Sequence, residues 1–88
     1  MKTFADLEFK AHPVGRGLQA KMDFDNGYGV SVLFGTDWYS NGTDTYELAV
    51  FKDGHINYEH TQGDVMGYKS SDEVTSWMRQ VQELKEMK

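Results

Sequence analysis

The stretch LQAKMDFDNGYGVSVLF, residues 18–34, decides the fold. Leu18, Ala20, Met22 and Phe24 alternate with Gln19, Lys21 and Asp23, and Val30, Val32 and Phe34 alternate with Ser31 and Leu33. A period of two marks a strand with one buried face. Between the two runs lies Asp25-Asn26-Gly27. Cross-strand neighbours must share a face. A two-residue Asn26-Gly27 loop would set Asp23 against Val30, polar against apolar. A three-residue loop sets Phe24 opposite Tyr28 and Met22 opposite Val30, with Gly27 in the left-handed position. The stretch therefore reads as a three-residue hairpin.

The same pattern recurs on both sides of it. Leu7, Phe9 and Ala11 alternate with Asp6, Glu8, Lys10 and His12, Tyr46, Leu48 and Val50 with Glu47, Ala49 and Phe51, and Ile56 and Tyr58 with Asn57 and Glu59. Strands are expected over about residues 5–12, 18–24, 28–34, 45–52 and 55–60. Residues 13–17 make the first turn, and pairing Ala11 with Leu18 would set Phe9 opposite Ala20 and Glu8 opposite Lys21. Asp53-Gly54 makes the last turn. A two-residue loop there puts Phe51 opposite Ile56, and a three-residue loop puts Val50 opposite Tyr58; the pattern admits both.

One helix closes the chain. Ser70 and Glu73 have capping-box spacing, and Val74, Trp77, Met78, Val81 and Leu84 recur on one stripe. The helix is expected over about residues 71–86, with Asp72 and Glu73 at its positive end and Lys85 and Lys88 at its negative end. A meander with a bare apolar face and a lone helix are each marginal in water. Together they form a single domain, 1–88, of the α+β class: an antiparallel meander of about five strands with the helix packed on one face, in two layers. Trp77 is expected at the centre of that contact, where alanine would cost about 3–5 kcal/mol.

Composition bounds the function. The chain has 88 residues, no cysteine and a net charge of −5 from 14 acidic and 9 basic side chains. No disulfide or thiolate metal site is available, and no basic stripe exists to neutralise phosphates, so direct nucleic-acid binding is disfavoured. Met1 to Lys10 carries no apolar run of the signal-peptide kind, and no stretch is long enough to cross a membrane. The expectation is a cytoplasmic protein with no membrane partner. The three histidines do not converge as a metal signature, and no nucleophile elbow or phosphate loop is present. No cofactor, no metal and no enzymatic activity are expected.

Two features stand apart from the core. The one long connection carries Asp37, Trp38 and Tyr39, residue types that supply binding area at interfaces. The alternative is that both rings fold back over the end of the core. Leu33, Ala49 and Phe51 would form an apolar patch on the helix-free face if the third and fourth strands are neighbours, marking an interface or a homodimer contact. The alternative is ordinary scatter. Trp38, Tyr39, Asp37, Leu33 and Phe51 are thus the candidate partner-binding residues. Residues 62–68 either plug the end of the sheet, their glycines allowing close backbone approach, or line a pocket at the helix N-terminus.

Three blocks carry a resemblance. Asn26-Gly27-Tyr28-Gly29-Val30-Ser31-Val32, Tyr46-Glu47-Leu48-Ala49-Val50 and Gly63-Asp64-Val65-Met66-Gly67-Tyr68, followed by the acidic-capped helix, are similar to blocks in short accessory proteins of tailed bacteriophages. The resemblance spans most of the chain and transfers no functional residue. It implies an infected bacterial cytoplasm and a host-protein partner, including defence nucleases or effector complexes of the kind anti-CRISPR proteins inhibit. The rival expectation is a small-ligand binding or sequestering protein acting as a homo-oligomer.

Overall fold

The hairpin at residues 18–34 forms with the expected register. In the computed structural model, which describes residues 1–14, 16–56 and 66–84, Met22 faces Val30 and the Phe24 N–H donates to the Tyr28 carbonyl at 2.7 Å. Gly27 takes φ +86°, the left-handed conformation that the three-residue loop requires. The strands are β1 (Lys10–Ala11), β2 (Leu18–Asp23), β3 (Tyr28–Phe34), β4 (Tyr46–Lys52), β5 (His55–Ile56) and β6 (Met66–Lys69), followed by helix α1 (Ser71–Glu83). β1 to β5 pair in chain order, all antiparallel, and β6 also pairs with β4. The architecture is α+β: one antiparallel sheet with one C-terminal helix.

The last turn takes the two-residue form. Phe51 faces Ile56, and Asp53 and Gly54 adopt φ +50° and +83°. Positive φ at both central residues is the tight hairpin turn whose twist matches that of the strands.

Two elements differ from expectation. The first strand keeps only Lys10–Ala11, and Phe4–Asp6 is a 3₁₀ turn. The N-terminal segment is drawn off the sheet by polar bonds to the helix. Phe4 N–H donates to Thr75 Oγ1 at 3.1 Å, while Lys2 and Gln82 exchange two bonds at 2.9 and 2.8 Å. Ala11 does face Leu18, but Phe9–Ala20 and Glu8–Lys21 are not ladder pairs. The second difference is β6. Met66–Lys69 is a strand on β4, where a link to the helix was expected. Residues 57–65 and 85–88 lie outside the described residues, and with them the expected end of the fifth strand; the helix, expected to about residue 86, ends at Glu83, where Leu84 turns to an extended conformation.

Tyr28, Val30, Val32, Leu48 and Val50 of the sheet meet Val74, Met78 and Val81 of α1 in one buried cluster. Trp77 is not its centre. It is half-buried at the margin, because at 100° per residue it projects about 60° to one side of Val74, whereas Met78 and Val81 bracket Val74 closely. Val74 and Met78 are both 0% exposed.

Both helix ends are closed by side chains. Ser70 Oγ accepts from Glu73 N–H at 3.2 Å, and Glu73 Oε1 accepts from Ser70 N–H at 3.0 Å. These bonds to Ser70, backbone first, hold the Glu73 carboxyl below its ordinary pKa. At the other end Asn26, from the β2–β3 turn, donates through Nδ2 to the carbonyls of Val81 and Leu84 at 2.8 and 2.9 Å, and its Oδ1 accepts from Tyr28 N–H at 3.1 Å. One turn residue therefore sets the hairpin and adds bonds to carbonyls at the helix end, where i+4 backbone partners run out. Asn26→Ala is expected to cost about 1–3 kcal/mol in urea unfolding. Asn26→Asp should cost at least as much, since it keeps the acceptor, removes the donors and puts negative charge at the negative end of the helix. An unchanged midpoint for Asn26→Asp contradicts this role.

Candidate functional site

The connection from β3 to β4 is built from short polar side chains that bond their own backbone. Ser40, 4% exposed, donates from Oγ to the Thr45 carbonyl at 2.6 Å and accepts from the N–H groups of Gly35 and Gly42, both at 3.1 Å. Asn41 Oδ1 accepts from the N–H groups of Thr43, Asp44 and Thr45 at 2.8, 3.0 and 3.1 Å. The loop is therefore a defined scaffold.

Its aromatic pair is split. Trp38 folds back: its ring lies 4.7 Å from the His12 ring and sits over Gly17 and Gly35. Asp37 ties the loop to the first turn, with Oδ2 accepting from Arg16 N–H at 2.9 Å. Both residues serve the loop's placement. Tyr39 points outward and is 56% exposed.

Tyr39 is held by β4 and β6. Its N–H donates to Glu47 Oε1 at 3.2 Å, and its carbonyl accepts from Tyr68 N–H at 2.8 Å. Between the pairs Tyr46–Lys69 and Leu48–Met66 the register shifts, so that Gly67 and Tyr68 together oppose Glu47. That is a β-bulge, a device that redirects a side chain and is common beside functional sites. Tyr68 takes φ +54°, an uncommon conformation for a bulky residue, and is 60% exposed. Its ring lies 6.3 Å from that of Tyr39. Gly67 is required here, because a Cβ on it would stand 2.6 Å from Tyr39 Cβ. The result is a pair of exposed tyrosines on a bonded backbone at one edge of the sheet.

The helix-free face does not join the remaining candidates. Leu33 faces Glu47, whose carboxylate accepts from Tyr39 N–H, whereas Phe51 faces Gly29 and Ile56. The row between them pairs Ser31 with Ala49, small residues that are buried at 6% and 9% exposure. Leu33 and Phe51 are two rows apart, about 13 Å along a strand, with Ala49, the third residue of the expected patch, buried between them, so the exposed apolar surface falls in two spots. Phe51 pairs with exposed Ile56 at the far one.

A concavity of about 330 Å³ opens on the other face, where α1 does not reach. It is lined by Phe4, Leu7, Phe9, Leu18, Phe34 and Tyr46. Phe4 packs edge-on against Tyr46 at 4.9 Å, and Phe34 lies 5.2 Å from the same ring. The period-two reading missed this feature by placing Leu7 and Phe9 in a strand.

Among the described residues no group of three or more His, Cys, Asp or Glu side chains converges as a metal site. His12 is occupied, its Nδ1 accepting from Val14 N–H at 3.0 Å, and His60 lies outside the described residues. No helix of the described chain is long and apolar enough to cross a membrane. Comparison of the chain with protein-family models, curated proteins and solved structures finds no match.

The sequence reading missed Tyr68, Glu47 and Gly67. The signal was partial: a glycine next to a tyrosine in residues 62–68 suggested close backbone approach, and Gly67 supplies it to Tyr39.

Proposed function

We propose that this chain is a protein-binding domain whose contact is centred on Tyr39 and Tyr68, and that it acts as a small acidic phage accessory protein on a bacterial host protein. A defence nuclease or effector complex is the class of target. The observation that carries the reading is the exposure of two tyrosines on a backbone bonded across three segments. Exposed Tyr gives large contact area with only two torsions to fix, and a preformed backbone lowers the ordering cost of binding. Tyr68 is held in the left-handed conformation, a kind of backbone strain that concentrates at functional sites. The net charge of −5 favours a basic partner surface. The phage context and the host target rest on the sequence blocks alone.

A second reading has one observation in its favour. The apolar concavity beside Tyr46 has the lining of a small-ligand pocket, and a ligand there would be apolar or aromatic.

Affinity capture from a bacterial lysate with quantitative mass spectrometry tests the first reading. The wild-type chain should retain one stoichiometric host protein. Tyr39→Ala and Tyr68→Ala should lose it, whereas Arg79→Ala, on the exposed side of α1, and Trp38→Phe should keep it. A host protein retained equally by both tyrosine variants contradicts the site. Stabilisation of the chain by small apolar compounds, with no protein captured, selects the second reading.

A further inference from the structure

The opposite edge of the sheet carries its own pairing code. β1 covers only Leu18 and Gln19 of β2, and no described strand pairs with the outer side of residues 20–23. The direction of the free groups follows from the hairpin. Phe24 N–H bonds to Tyr28, so the even-numbered residues of β2 turn their N–H and C=O groups towards β3. The odd-numbered ones turn outward. The bond from His12 N–H to the Gly17 carbonyl, at 3.1 Å on that side, has the same parity. Lys21 and Asp23 therefore present backbone donors and acceptors to solvent, and their charged side chains stand on the helix-free face. Beside Lys21 the chain diverges, leaving a concavity of about 310 Å³ between Glu8, Lys10 and β2.

A lysine alone on an edge strand blocks pairing. Lys21 followed two residues later by Asp23 is different, because the pair is self-complementary in antiparallel register. Like strands meet across a two-fold axis, and outward-pointing residues must face outward-pointing residues. A register centred on Lys21 sets lysine against lysine, and one centred on Asp23 sets aspartate against aspartate. A register centred on Met22 sets Lys21 against Asp23 of the second copy, twice. It also sets Ala20 against Phe24 of the second copy on the apolar face, where Met22 and Phe24 are only half-buried.

We propose that the chain forms a two-fold dimer by antiparallel pairing of β2 with β2 of a second copy, centred on Met22 and selected by the Lys21–Asp23 charge pairs. The two sheets become one, with both helices on the same face. The tyrosine pair lies at the other edge, beyond β4, so the dimer displays two copies of it at opposite ends. Such a bivalent arrangement raises avidity for a paired or repeated target without new contacts. The dimer does not depend on the tyrosines being a binding site.

Sedimentation equilibrium from low micromolar to millimolar concentration tests the pairing. The mass should rise towards twice the chain mass of 10.1 kDa. Asp23→Lys should raise the dimer dissociation constant at least about tenfold by placing like charges opposite each other, as should Lys21→Asp. The double swap Lys21→Asp with Asp23→Lys should restore the wild-type value. Met22→Cys offers a second measurement: residues facing each other across a non-hydrogen-bonded antiparallel pair stand about 4.5 Å apart at Cα, within disulfide reach. Since the chain has no other cysteine, oxidised glutathione should cross-link Met22→Cys and not Gln19→Cys. A monomer throughout the series overturns the proposal. So does a dimer indifferent to both single charge reversals, or one that Met22→Cys fails to cross-link.

Discussion

Met78→Ala lowers the unfolding free energy by about 2–5 kcal/mol. The side chain is 0% exposed, on the same helix face as Val74 and Val81, and packs into the cluster formed with Val30, Val32, Leu48 and Val50. Truncation removes the burial of a long apolar chain and leaves a cavity. Sheet strands on one side and the N-terminal segment strapped to α1 on the other limit how far the site can collapse. A domain of this size has roughly 5–15 kcal/mol to lose, so the upper end of the range would leave a sizeable unfolded fraction at 25 °C. Urea unfolding should show a lower midpoint with an unchanged slope. Trp77→Ala, removing a larger but only half-buried ring, should cost less than Met78→Ala. The reverse order would place the centre of the helix contact at Trp77.

Gly17→Ala should cost about 3 kcal/mol or more, for two reasons that act together. Gly17 adopts φ +108°, where a Cβ is strained. A Cβ built there would also meet the Phe34 carbonyl oxygen at 2.3 Å and Trp38 Cζ3 at 2.7 Å. The oxygen belongs to the β3 backbone and cannot rotate away. Gly54 provides the comparison. It has φ +83° but nothing within 4 Å of a Cβ, so Gly54→Ala carries only the left-handed penalty of about 1–2 kcal/mol. Equal costs at the two positions would show that the close approach of Trp38 and β3 to Gly17 contributes nothing. The loop then would not depend on Trp38 for its placement.

These two positions also mark where local pattern was informative and where it was not. Alternation placed Leu18 to Phe34 correctly, down to the register, because one face of that hairpin is buried and a slip would expose it. The Ser70–Glu73 spacing placed the helix start, because capping is decided within four residues. Trp77, expected at the centre of the contact, lies at its margin because the direction of projection around the helix decides burial. The N-terminal segment alternates as a strand does. Its course is set by Thr75 and Gln82, 71 and 80 residues away from their partners, which no local reading includes. At the candidate site, residues 36–45 could be recognised as an exposed aromatic loop. Which ring folds back depends on Gly17 and His12 under Trp38, and on Glu47 and the Gly67–Tyr68 bulge under Tyr39. Both are contacts between segments distant in sequence. Leu33 and Phe51 share a face, as expected, but strand pairing sets the Ser31–Ala49 row between them.

The central claim is that Tyr39 and Tyr68 form the contact surface, and the most direct measurement is calorimetric titration of the captured host protein. The double variant Tyr39→Ser, Tyr68→Ser should bind at least about a hundredfold more weakly than the wild type, as expected when two clustered tyrosines at a contact are truncated. Its melting temperature should stay within a few degrees of the wild-type value, because both rings are more than half exposed. An affinity equal to that of the wild type, with the fold intact, contradicts the claim.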